Sequence, residues 1–169
     1  LATKKQVSVA AAEERLKAQW DHQPMTPMRA ISEIVKATPD GAIVVDESIT
    51  ASTEIAAGFE FAKAGDYYGG RGGGIGQGLP GALGVKVAHM ARPVLCTSGD
   101  GSAMYSIQAL WTAAHHDLAI VFVIFCNKEY RVLKHNLDIY RSRFNQPSNR
   151  PYPHMDLSQP ALGFTAVAQ

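Results

Sequence analysis

Apolar and polar positions alternate between helical and strand-like spacing along most of the chain. Thr26 and Pro27 supply an N-cap and a first-turn proline, and Met28, Ile31, Ile34 and Val35 then recur at helical spacing up to the Pro39-Asp40-Gly41 turn. Ala42 to Val45 is a short apolar run that predicts a buried strand opening into a polar loop at Asp46-Glu47-Ser48. Thr53 to Phe61 predicts a helix. So does Leu79 to Met90, with Pro80 in its first turn and small residues Gly81, Ala82, Gly84 and Ala88 suited to close packing on a sheet. Pro93 to Thr97 reads as a strand, Ser106 to His115 as a helix with Ile107, Leu110, Trp111 and Ala114 on one face, and Ala119 to Cys126 as a second strand. These three form one βαβ unit. Their strands are continuously apolar, which predicts an α/β fold with an open, mainly parallel sheet and helices on both faces.

The flanks are less regular. Ser8 is placed as the N-cap of a helix over Val9 to Trp20 whose apolar face is thin, so residues 1–24 are expected to form a linker helix and residues 25–169 the domain proper. After Asn127 the pattern turns irregular, and Asn145 to His154, with three prolines, predicts a long loop. Gly163 to Gln169 resembles the start of a helix that in known folds of this kind leads into further strands, so the chain is expected to be part of a longer polypeptide.

Composition narrows the class of partner. A net charge of +1 and a pI near 8.0 give no strongly basic surface for nucleic acid. The longest apolar stretch, Leu118 to Cys126, is far below the ~20 residues of a membrane span, and the start of the chain lacks a secretory apolar core. A cytoplasmic protein is expected. Cys96 and Cys126 both fall in apolar runs and are expected to be small buried hydrophobes, not a disulfide or a zinc site.

Two stretches carry candidate chemistry. Seven of the ten positions from Gly69 to Gly78 are glycine, too many for a helix or strand interior given the entropy lost on ordering them. Such a stretch is either a flexible surface loop or a place where a ligand needs close backbone approach. The second is Gly99-Asp100-Gly101-Ser102 after one strand, with Asn127 after the next, 27 residues beyond Asp100. Open parallel sheets bind ligands at the carboxyl ends of their strands, and neighbouring strands lie ~5 Å apart, so a carboxylate and an amide oxygen can share one cation there. Hard oxygen ligands suit Mg2+ or Ca2+, and Mg2+ commonly completes its shell with phosphate oxygens and water. Ser102 and the amides after it, ahead of a helix, favour an anion. Gly-Asp-Gly alone is a common turn, and only its place in the whole strand-turn-helix-strand pattern points to a metal and diphosphate site.

Gly99-Asp100-Gly101 through Asn127 resembles the cofactor signature of the thiamine diphosphate (ThDP) dependent decarboxylase and acetolactate synthase superfamily. Ser106, Leu110, Trp111 and Thr112 resemble benzoylformate decarboxylases in particular. The likeness covers about Met25 to Gln169 and implies the C-terminal, diphosphate-binding domain of a ThDP- and Mg2+-dependent lyase acting on a 2-oxo acid. It implies Mg2+ on Asp100, the Asn127 side chain and the main-chain carbonyl of Glu129. Members often carry Asn and Gly where this chain has Cys126 and Lys128, which leaves the geometry of that loop open. Ile49 and Thr50 match a loop touching the diphosphate, and Ser102 and Ala103 the turn cradling it. In the glycine stretch, Gly73, Gly74 and Ile75 match the segment that meets the aminopyrimidine. There the Gly73 carbonyl accepts from the 4'-amino group, and Ile75 bends the cofactor so that this nitrogen nears thiazolium C2. Gly99, Gly101, Tyr130, Arg131 and Val132 complete the implied cofactor-binding set. Tyr130, Val132 and Leu133 serve either the substrate side of the thiazolium or the core of the next helix.

The resemblance places no catalytic residue in this chain, because the activating glutamate comes from a pyrimidine-binding domain, usually of a neighbouring subunit. A homodimer or homotetramer is implied. Two other readings compete with the decarboxylase: a carboligating transferase of acetolactate synthase type, and a non-catalytic diphosphate-binding domain. His115 and His116 are expected to be structural, at a helix end where a partly charged imidazole eases the dipole. Arg141, Arg143 and Arg150 are expected on a solvated surface.

Overall fold

A computed structural model describes residues 14–70 and 72–169 of the chain. The expected Ser8 cap and the first part of the linker helix lie outside the described residues, while residues 14–18 are helical. Two compact units are present. The first runs to Pro39 and takes in Thr53–Glu60, and the second comprises Asp40–Ser52 and Phe61–Gln169.

In the first unit, α1 (Pro27–Ala37) begins as the sequence predicts, with the Thr26 hydroxyl accepting from the Arg29 amide at 3.3 Å. At its other end Thr38 donates from its hydroxyl to the Ile34 carbonyl at 2.6 Å. The helix expected over Thr53 to Phe61 is α2 (Ser52–Gly58). A Cβ on Gly58 would come within 3.2 Å of Val35 and 3.3 Å of Ile31, so this glycine sits where α1 approaches most closely.

The second unit is a four-stranded, wholly parallel sheet. Its strands are β1 (Ile43–Glu47), β2 (Tyr67–Gly69), β3 (Val94–Gly99) and β4 (Val121–Phe125), in the order β2-β1-β3-β4. Every residue of β1 is buried, as is β3 from Val94 to Ser98, so the apolar first halves of both strands and their polar ends, Asp46-Glu47 and Thr97-Ser98, are covered on both faces. One face of the sheet, with Ile43, Val45, Val94 and Cys96, meets Leu79 and Ala82 of α3 (Gly78–Ala88) together with Ala103 and Ala109. Two short helices, α4 (Asp100–Ala103) and α5 (Ala109–His115), follow β3. They lead into β4, and α6 (Arg131–Arg143) and α7 (Phe164–Val167) complete the unit.

Several expectations require correction. The acidic pair Asp46-Glu47 does not open a polar loop: β1 continues through it, and both side chains are buried. In α3 the small residues Gly81, Gly84 and Ala88 are exposed, and the contact with the sheet is made by Leu79 and Ala82. The chain turns helical at Asp100, not at Ser106. Of the face expected on the later helix, Ile107 and Leu110 reach the core, whereas Trp111 is 69% exposed and Ala114 is also exposed. Cys96 is fully buried and its thiol is pushed up to about 12 by burial and then by Glu47 and Asp46. Cys126 is exposed, because β4 ends one residue before it. The stretch after Asn127 is irregular for only three residues before α6 begins. Arg141 is not a solvated side chain: it lies 5.1 Å over the Tyr152 ring and 3.7 Å from Asp138.

Candidate cofactor site

The carboxyl ends of β1, β3 and β4 lie side by side. Asp46 pairs with Thr97 and Glu47 with Ser98 between β1 and β3, and Gly99 pairs with Phe125 between β3 and β4. Asp100 and Asn127 therefore leave adjacent strands at the same edge, as their spacing predicts. Asp100 is 3% exposed. One carboxylate oxygen accepts from the Gly101 amide at 2.8 Å and the other from the Lys128 amide at 2.7 Å, which ties the two strand ends together. Among the described residues no lysine or arginine forms a salt bridge with it. An ionised carboxylate has about four acceptor positions, so two remain for a cation.

The loop from Asn127 to Glu129 continues from the end of β4. Asn127 accepts the Glu129 amide on Oδ1 at 3.0 Å. Lys128 adopts φ 60°, the left-handed conformation that glycine favours, so the loop keeps a glycine-like bend at a cost of ~1 kcal/mol. Bonds from Leu157 N–H to the Lys128 carbonyl (2.8 Å) and from Tyr130 N–H to the Met155 carbonyl (2.9 Å) brace it from outside. The Glu129 side chain turns away, to Arg131 at 3.1 Å and to Lys134. Its carbonyl accepts no backbone hydrogen bond among the described residues. A carboxylate with spare lone pairs, an amide oxygen and an open carbonyl fit a hard divalent cation such as Mg2+.

Around this centre, Ser102 and Ala103 are buried in the first helical turn after Asp100. A Cβ on Gly101 would stand 2.3 Å from Tyr130, so the absence of a side chain there lets the Tyr130 ring lie on the backbone. The Tyr130 hydroxyl is pushed up by burial, then by Tyr105 and Asp100. Ile49 and Thr50 form a single 3-10 turn (Ile49–Ala51) directly after β1. Ile49 has φ 55°, strained for a β-branched residue by ~1–3 kcal/mol, and such strain gathers at ligand sites.

The glycine stretch arches between β2 and α3. Gly72, Gly73 and Gly76 have φ of 75°, 72° and 96°, which other residues adopt only with strain. Gly73 and Gly74 are exposed and Ile75 is half-buried. Arg131 is exposed and Val132 half-buried at the start of α6, in line with the alternatives left for that segment. All the anticipated site residues thus belong to the second unit.

Sequence reasoning missed the polar cluster beneath the site. Asp46 accepts on one oxygen from the Ser48 amide (2.9 Å), the Ser48 hydroxyl (2.6 Å) and the Thr97 hydroxyl (2.7 Å), and on the other from the Tyr67 hydroxyl at 3.0 Å. Burial raises the carboxyl, but hydrogen bonds from Ser48, Ser52 and Thr97 outweigh it and hold Asp46 below its ordinary value. Burial, and then the Asp46 charge, pushes the Tyr67 hydroxyl up to about 12. Glu47, 1% exposed, accepts from the amides of Gln77 at 2.9 Å and Gly78 at 3.0 Å. An acidic pair closing an apolar strand was the only signal available for these residues.

Comparison with known proteins agrees with this geometry. The family described as thiamine pyrophosphate enzyme, C-terminal TPP binding domain, matches residues 49–169. IlvX of Mycobacterium tuberculosis, provisionally assigned as an acetolactate synthase large subunit, is 36% identical over 145 residues, which cover 86% of this chain and 28% of that one. Benzoylformate decarboxylase of Pseudomonas aeruginosa is 38% identical over 111 residues, 66% of this chain and 21% of that one. Among solved structures, the ThDP-dependent 4-hydroxybenzoylformate decarboxylase of Rhodococcus jostii RHA1 superposes with a TM-score of 0.73 at 32% identity, covering 85% of this chain and 26% of that one. The chain therefore spans about a fifth to a quarter of the length of these relatives.

Proposed function

Because the chain belongs to the thiamine pyrophosphate enzyme family, we propose that it is the diphosphate-binding part of a ThDP- and Mg2+-dependent lyase that decarboxylates a 2-oxo acid. The observation that carries this reading is the joined ends of β3 and β4, where the buried Asp100 accepts the Lys128 amide and keeps acceptor positions free. Asp100, Asn127 and the Glu129 carbonyl would hold Mg2+, which would supply positive charge to balance the diphosphate. Ile49, Thr50, Gly99, Gly101, Ser102 and Ala103 surround that diphosphate. Gly73, Gly74 and Ile75 hold and bend the aminopyrimidine end, while Tyr130, Arg131 and Val132 close the site from α6. The cofactor, when bound, supplies the electron sink for loss of CO2. The residues of this chain fix its geometry and neutralise its charge.

The activating glutamate comes from a pyrimidine-binding domain of the same enzyme, contributed across a homodimer or homotetramer. The compartment is the cytoplasm. Among the described residues no helix is long and apolar enough to cross a membrane. The similarity to IlvX favours a second reading, carboligation of acetolactate synthase type. The two readings separate on product: one aldehyde per 2-oxo acid consumed, or a condensed hydroxy-keto acid.

Calorimetric titration of ThDP with Mg2+ tests the site, using the polypeptide that carries both this chain and the pyrimidine-binding domain. Saturable binding that Asp100→Ala and Asn127→Ala each abolish is the expected result. Binding that survives both substitutions would refute the assignment. Loss of binding with the fold intact also argues against a domain that merely serves as a scaffold.

A further inference from the structure

We propose that Glu47 is a positioning residue for the cofactor: its carboxylate, reaching from the end of β1, fixes the glycine arch whose backbone meets the aminopyrimidine. This rests on the reading of that arch given above. Both ends of the arch are held by β1. At its start the Gly70 amide donates to the Asp46 carbonyl at 3.2 Å. At its finish Glu47 takes the amides of Gln77 and Gly78, one on each oxygen. Those amides open the 11-residue helix α3, where unpaired N–H groups and the dipole favour a negative charge.

The anchor reaches the middle of the arch through Gln77. Its amide is bonded to Glu47, while its side-chain Nε2 donates back to the Gly74 carbonyl at 2.8 Å. Gly74 is the neighbour of Gly73, and Gly76 is pinned on the opposite side, where a Cβ would stand 2.6 Å from Tyr105 Cβ. Packing beneath the ends of the arch is sparse. A cleft of about 210 Å3 lies there, lined among others by Glu47, Gly69, Gly70, Gln77 and Gly78. Hydrogen bonds from β1 at its two ends, together with the Tyr105 contact at Gly76, therefore set the arch's height above the sheet. Nor does the glycine-rich arch stiffen itself, since each glycine gains conformational freedom when released. A Cβ on Gly78 would meet Glu47 Cβ at 2.8 Å, so the close approach of helix and strand is part of the same device.

Glu47→Gln keeps the shape but turns an amide NH2 toward one of two backbone donors. The test compares two ligands, each with Mg2+, on the whole polypeptide: ThDP, which engages both the arch and the diphosphate site, and inorganic diphosphate, which engages the ends of β3 and β4 and the turn after β1 but not the arch. ThDP affinity is expected to fall about tenfold while diphosphate affinity changes less than about twofold. Gln77→Ala, which removes the side-chain bond to Gly74 and keeps the Glu47 anchor, is expected to weaken ThDP about threefold with the same selectivity. Equal weakening of both ligands, or unchanged ThDP affinity in Glu47→Gln, overturns the proposal. If Glu47→Gln does not fold, Gln77→Ala decides: selective loss upholds the proposal and unchanged affinity overturns it. A native protein that binds diphosphate but not ThDP removes the reading of the arch, and the proposal with it.

Discussion

The ends of β1 and β3 present the same kind of residue and use it in opposite ways. Asp46 and Asp100 are buried aspartates at the carboxyl edge of adjacent, fully buried strands, 2% and 3% exposed. Asp46 receives four hydrogen bonds, from Ser48 twice, Thr97 and Tyr67. Asp100 receives two, both from backbone amides. A buried carboxylate whose acceptor positions are taken up by its own fold is a structural part, whereas one left with unused lone pairs is a candidate ligand. Burial and residue type do not separate the two cases; the census of donors does.

The sharpest way to break this contrast is to truncate both. Asp100→Ala is expected to reduce Mg2+-dependent ThDP affinity by at least about 100-fold, a hard anionic ligand being lost to the metal. Its effect on the thermal stability of the cofactor-free protein should be small, within about 1 kcal/mol. Two amides lose an acceptor, but a buried charge without a cationic side-chain partner is removed. Calorimetry and a thermal melt on the same sample read both quantities. A large stability loss with binding retained would reverse the assignment of the two aspartates.

Asp46→Ala should do the opposite, leaving the hydroxyls of Ser48, Thr97 and Tyr67 and one amide without an acceptor. The expected cost is about 3 kcal/mol in denaturant unfolding. The native group also predicts a pH dependence. Its carboxyl titrates lower in the folded state than in the unfolded one. Its contribution is therefore complete above the unfolded aspartate value, near pH 4, and is lost as pH falls through the lower folded value. Acid titration of the native protein and of Asp46→Ala should converge in stability below that range. Parallel curves would show that Asp46 is not the group responsible.

A third substitution sharpens the comparison within the metal loop. Gly101→Ala puts a methyl group 2.3 Å from the Tyr130 ring, so that residue and the loop before it must shift. A loss of about 2 kcal/mol is expected, with ThDP affinity falling alongside because Lys128 and Glu129 move with Tyr130.

How much of this was legible beforehand follows from what each feature depends on. The parallel sheet was legible in the continuous apolar runs of β3 and β4, although only β3 is buried along its length and β4 is partly exposed. The pair Asp100 and Asn127 was legible because strand ends of a parallel sheet share one edge, and the pairing of Gly99 with Phe125 makes their spacing a statement about proximity. The roles of Asp46 and Glu47 were hidden, because they arise from partners far along the chain: Thr97 on the next strand, and Gln77 and Gly78 across the arch. Trp111 misled for a related reason. Helical periodicity places it beside Ile107 and Leu110, but the seven-residue helix buries Ala109 and Ala113 and leaves the indole exposed, stacked on His115 4.8 Å away. The fate of Cys126 hinged on a single residue of strand length.

The smallest effect tests the same lesson on the two glycines that flank Asp100, which the sequence motif treats alike. Gly99 closes β3 with φ −76° and ψ 156°, ordinary extended backbone, and a Cβ there would find nothing nearer than the Ser102 hydroxyl at 4.0 Å. Any small residue fits that position in the apo protein. Gly99→Ala is therefore expected to change unfolding free energy by no more than about 0.5 kcal/mol, against the larger loss in Gly101→Ala. If Gly99→Ala nevertheless weakens inorganic diphosphate binding with Mg2+, the space beside Gly99 belongs to the ligand and not to the fold. If neither stability nor binding moves, only Gly101 of the pair is demanded by this structure, and the demand comes from Tyr130.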